Sequence, residues 1–117
     1  MWQIAIAAKY GRRLREFDKK HSPETFAVLG NLSTYVKTLN DTDNPLMIKY
    51  GFIHTEGMGA VAIDQSGGEK KLKQTRLYLY AETETKTIHL ITLGDKRRQH
   101  DDVQECHEYI KALRKGG

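Results

Sequence analysis

Arg76 lies in the middle of a strand-forming run, Gln74–Ala81 (QTRLYLYA), between residues that pack well and carry no charge. An arginine there is costly to bury without a partner. Its planar fork of donors matches phosphate oxygens, so it is the first candidate for a phosphate contact. The competing use is an ion pair with Glu56 or Asp64. Lys96, Arg97 and Arg98 follow the next strand-like run in the segment GDKRR. His100 comes just after them, and an imidazole titrates near neutrality, which suits proton transfer. His54 and Glu56 stand in a glycine-rich stretch before the sheet. Lys70, Lys71 and Lys73 lie in or beside the turn before Arg76, where they could bind phosphates or guard a hairpin tip against aggregation. Tyr78 and Tyr80 could stack bases or simply pack.

Other chemistry finds little support. The single cysteine, Cys106, falls on an apolar helical stripe and reads as core. His89 reads as a packed strand residue. There is no Cys/His quartet, HExxH, GxSxG or P-loop, so neither a metal site nor a cofactor is expected. One cysteine also excludes an internal disulfide framework and fits a reducing compartment.

These residues need a scaffold. With 117 residues, the chain has the length of one domain, and we read 1–117 as that domain. At 38% hydrophobic and 29% charged residues it is globular rather than disordered. No apolar run is long enough for a membrane span, and no signal peptide is read at the N-terminus. The net charge of +4 gives a mild preference for anionic partners. That charge is clustered: Lys9, Arg12, Arg13, Arg15, Lys19 and Lys20 form one block, the lysines before Arg76 a second, and Lys96–Arg98 a third. Such blocks either converge on a phosphate backbone or are solvated faces.

The pattern predicts a strand over 2–6 and a helix over 8–20, with Tyr10, Leu14 and Phe17 on its stripe. A second helix begins at Ser22-Pro23-Glu24, with Ser22 as cap, and carries Phe26, Leu29, Leu32, Val36 and Leu39. Residues 40–45 end it, and residues 46–58 read as irregular. Strands follow at 60–64, 74–81 and 86–93, after turns such as Ser66-Gly67-Gly68, and form an antiparallel meander. A polar loop covers 94–100. A last helix starts near Asp101 or Asp102, with Val103, Cys106, Ile110 and Leu113 on its stripe. Leu77 and Leu79 are expected to face the helices, leaving Arg76, Tyr78 and Tyr80 on the more open face.

The stretch QTRLYLYAETETKTIHLITLGDKRRQHDDVQECHEYIK, with the earlier Gly59-Ala60-Val61-Ala62-Ile63, resembles RelE/ParE-superfamily toxins of type II toxin–antitoxin modules, of the RelE/HigB-like kind. The likeness covers about residues 50–112. It implies an α+β, RelE-like fold: an N-terminal helical hairpin on a curved, mainly antiparallel sheet, with a C-terminal helix. It implies a cytoplasmic, ribosome-dependent messenger RNA endonuclease, neutralised by a cognate antitoxin protein, as a homodimer or a toxin–antitoxin hetero-oligomer. The alternatives within the superfamily are a ParE-like DNA gyrase inhibitor and a non-catalytic RNA- or protein-binding relative. RNA cleavage of this kind needs a base for the 2′-OH, cations for the charged phosphorane and an acid for the leaving oxygen. The resemblance places Arg76, Lys96, Arg97, His100 and His54 in that machinery, with Lys70, Lys71, Lys73, Arg98 and Tyr78 as RNA contacts. Relatives carry a catalytic Tyr or His near the C-terminal end; here the loop has no Tyr, and Tyr109 lies well inside the helix.

Overall fold

A computed structural model describes residues 1–67 and 71–116. Lys70 and Gly68, named above, lie outside the described residues. The order is β1 (Gln3–Ile6), α1 (Tyr10–Lys20), α2 (Ser22–Thr42), β2 (Ile53–Thr55), β3 (Ala60–Asp64), β4 (Thr75–Glu82), β5 (Thr87–Asp95) and α3 (Gln99–Gly116). Short 3-10 turns occupy Pro45–Met47 and Lys96–Arg98. The five strands form one sheet in the order β1-β5-β4-β3-β2. All neighbours are antiparallel except β1, which runs parallel to β5.

The expected meander is therefore the centre of a larger sheet. The stretch 46–58 is not wholly irregular, because β2 adds to the edge of β3. Three residues are too few for a periodic signal, which is why the pattern misses them. The turn that joins β2 to β3 has three successive positive φ angles, at Gly57 (85°), Met58 (60°) and Gly59 (85°). Glycine adopts that region without a steric penalty. The supposed loop 94–100 is also more ordered than expected. β5 runs on to Asp95, whose side chain accepts a hydrogen bond from the Arg97 amide and starts the 3-10 turn, and α3 begins at Gln99.

The helical hairpin covers one face of the sheet. Leu77 and Leu79 point into it, as expected, and meet Val28, Leu32, Tyr35 and Leu39 of α2. The buried stripe of α2 runs through Thr25, Val28, Leu32, Tyr35 and Leu39, so Phe26, expected on it, is 82% exposed. Nor does Ser22 cap the helix. It is the first helical residue, and His21 occupies the cap position without a side-chain bond.

The second face is not open. α3 lies across it, and Tyr78, Ala60, Ala62 and Ile91 pack against Cys106 and Ile110. The domain thus has three layers. A bulge in β5 makes this arrangement fit: Tyr78 pairs with Thr92 and Leu79 with Leu90, which leaves Ile91 as the extra residue. Leu90 and Leu93 then both face the hairpin, while Ile91 joins the α3 cluster.

Gly94 is the tightest point under α3. A Cβ built there would collide with the Asp102 carboxylate and lie 3.3 Å from Cβ of Arg98. We expect Gly94→Ala to lower stability by about 1–3 kcal/mol in urea unfolding. Gly30→Ala, in α2 with nothing within 4 Å, should instead raise it by about 0.5–1 kcal/mol.

Candidate functional site

One face of the sheet brings together Arg76, His54, Asp64 and Glu56. Arg76 is the second residue of β4, and its register partners are Asp64 on β3 and Gly94 on β5. On β2, His54 pairs with Ala62, so it shares the face of Asp64 and Arg76. Glu56 is presented by the β2–β3 turn, where its amide bonds to the Ala60 carbonyl at 2.9 Å. Its own carbonyl accepts from His107 of α3.

Two of the residues are already paired. His54 Nε2 lies 2.6 Å from Asp64 Oδ2, and Asp64 Oδ1 accepts from the Ser66 amide at 2.7 Å. Burial pushes the Asp64 pKa up, but the bonds from His54 and Ser66 outweigh it and hold the carboxyl below its ordinary value. Because Asp64 is occupied, Arg76 turns to Glu56, with Nη1 3.6 Å from Oε1. That is longer than a hydrogen bond. Nε of Arg76 is buried without any partner among the described residues. A guanidinium has five N–H donors. This one, on a side chain 18% exposed, therefore retains hydrogen-bonding capacity that the protein does not use.

The remaining candidates do not converge on Arg76. Tyr78 is 1% exposed beneath α3, so it cannot stack bases; the expectation of an open face fails here because α3 occupies it. Lys73 and Arg97 both turn to Asp95, at 3.3 and 3.2 Å. Asp95 pairs with Thr75, whose neighbour Arg76 points to the opposite face. Burial raises the Asp95 pKa, and the bonds from Arg97 and Lys73 more than reverse it. Lys71 is exposed in a left-handed conformation, with φ 66°. Lys96 and His100 are exposed. Arg98 reaches Asp102 at 3.4 Å. His89 is a structural residue, as read: it is 7% exposed and held between Tyr109 and Glu82. Cys106 is core as read, and burial pushes its thiol up to about 12. Among the described residues, no three His, Cys, Asp or Glu side chains cluster as metal ligands.

Asp102 is the residue that sequence reasoning missed. It reads as an acid suited to a helix start, yet its side chain is fully buried and Oδ2 has no partner. The available signal is Arg98 four residues earlier. Burial pushes its carboxyl up to about 6, against the smaller opposing pull of Arg98 and Arg13.

The sign of its effect follows. Below about pH 4 the acid is protonated in both states, and above about 6 only the folded protein holds a buried charge. Stability linked to Asp102 is therefore present at low pH and lost as pH rises through about 6. We expect Asp102→Asn to be more stable than the parent by about 1–3 kcal/mol at alkaline pH, with the gain vanishing in acid. Urea titrations across pH check this.

No protein-family model matches this chain, and no curated protein matches it.

Proposed function

We propose that the chain is a metal-independent endoribonuclease of the RelE/ParE-superfamily kind, cutting messenger RNA on the ribosome and held in check by a cognate antitoxin. The observation that carries this reading is Arg76, a half-buried guanidinium on a central strand with an unpartnered Nε and only a loose ion pair. Buried donors without acceptors are rare in folded proteins, and an arriving phosphate would supply them. The reading is also supported by His54, on the same face of the sheet as Arg76. With Nε2 held by Asp64, its Nδ1 is left to exchange a proton with the 2′-OH or the leaving oxygen. Arg76 would stabilise the charged phosphorane, exchanging its contact with Glu56 for one with phosphate. Lys96 and His100, exposed where β5 passes into α3, bond to neither Arg76 nor His54 and are given no step in this proposal.

A second reading is a relative that binds RNA without cutting it. The diversion of Arg97 to Asp95 favours it, since it removes a cation from the reaction.

Cell-free translation followed by primer extension on the messenger separates the two. Cuts within codons are expected only when ribosomes are present. Arg76→Ala should lower cleavage on the order of 10²–10³-fold and His54→Ala on the order of 10²–10⁴-fold. An intact messenger with the unaltered protein removes the nuclease reading, and unchanged cutting by Arg76→Ala removes the assigned site.

A further inference from the structure

The first and third basic blocks, far apart in sequence, face each other across a cleft. It lies between the C-terminal half of α1 and the end of β5 with the turn after it, and has a volume of about 430 Å³. Arg13, Lys19, Lys20, Arg97 and Arg98 line it, against the two carboxylates Glu16 and Asp95. Arg13 is a fixed wall, bonded to Thr92 at 2.6 Å and to Glu105 at 2.7 Å. Lys19 and Lys20 are exposed and have no ion-pair partner among the described residues. Arg97 opposes them, 83% exposed. Phe17 and His21 complete the wall, their ring centroids 4.7 Å apart.

Two lysines in the last turn of a helix complement its dipole and need no further explanation. The surplus of charge does need one: five cations line the cleft against two carboxylates, and with Arg13, Arg97 and Arg98 paired to Glu105, Asp95 and Asp102, the two lysines are left for a polyanion to neutralise. The aromatic rings beside the cations add the second element of a single-strand site, a surface on which a base can stack. The volume suits a nucleotide unit rather than a duplex.

We propose that this cleft binds the phosphodiester backbone of single-stranded RNA. Lys19, Lys20 and Arg97 contact phosphates, and the Phe17–His21 pair receives a base. The choice of RNA rests on the function proposed above, but the surface is a separate one. Gly94, the register partner of Arg76, forms part of its wall.

The test is fluorescence anisotropy with a short labelled oligouridylate over a range of salt concentrations. The unaltered protein is compared with the double variant Lys19→Ala/Lys20→Ala and with Arg97→Ala. Both lysines are exposed, so the fold should stand. The double variant should bind more weakly, and its plot of log K against log salt should be shallower by roughly 1.4, about 0.7 for each lost phosphate contact. Equal affinity and slope overturn the proposal. So does displacement by inorganic phosphate that matches unlabelled oligouridylate at equal phosphate concentration, since the cleft would then hold a small anion. The two readings fail separately. Messenger cleavage with unchanged binding by the double variant removes the cleft alone. Salt-sensitive binding through the lysines with no cleavage removes the nuclease and leaves the cleft.

Discussion

β4 has a hydrogen-bonded neighbour on each edge and helices over each face, so its side chains reach solvent only near its ends. The rest of the structure follows from that constraint. Arg76 is the second residue of the strand and remains partly reachable, whereas Tyr78 is sealed two residues further in, only about 7 Å along the strand. The small residues Ala60, Ala62 and Gly94 allow α3 to settle over Tyr78. Larger side chains at those positions would lift the helix and expose both the tyrosine and the arginine.

Charge is arranged around the sheet as a set of local neutralisations. Asp64 holds His54, Glu56 holds Arg76, Asp95 holds Lys73 and Arg97, and Glu105 holds Arg13. Where both members are largely buried, as in Arg76 with Glu56, a pair adds little net stability because desolvation offsets attraction, but removing either member leaves an uncompensated charge. They act mainly as positioning devices. The exceptions carry the functional interest: Arg76 has donors left over, and Lys19 and Lys20 have no ion-pair partner among the described residues.

Much of the scaffold was legible because its signals are local. Pro23 in the first turn of α2, the β-branched run of β5 and the alternating leucines of β4 each declare their element within a few residues. β2 was not legible, since three residues carry no period and its existence depends on β3 lying beside it. The outward turn of Phe26 was likewise hidden. Leu29 and Val36 sit at the margin of the buried stripe, so counting from them rotates the helix by part of a turn.

The candidate site divides in the same way. Sequence alone determined which residue types were available, that Arg76 lies on a strand whose leucines face the helices, and that Cys106 belongs to the core. Only the tertiary structure decided that Glu56 rather than Asp64 is the partner of Arg76, that Asp102 is buried, that Tyr78 is covered, and that Lys19 and Arg97 share a cleft. The reason is physical. Periodicity and turn chemistry are written over a span of a few residues. The partner and the burial of a charged side chain are set by whatever segment lands on its face, and for Arg76 and Tyr78 that segment is a turn or helix 20 or more residues away.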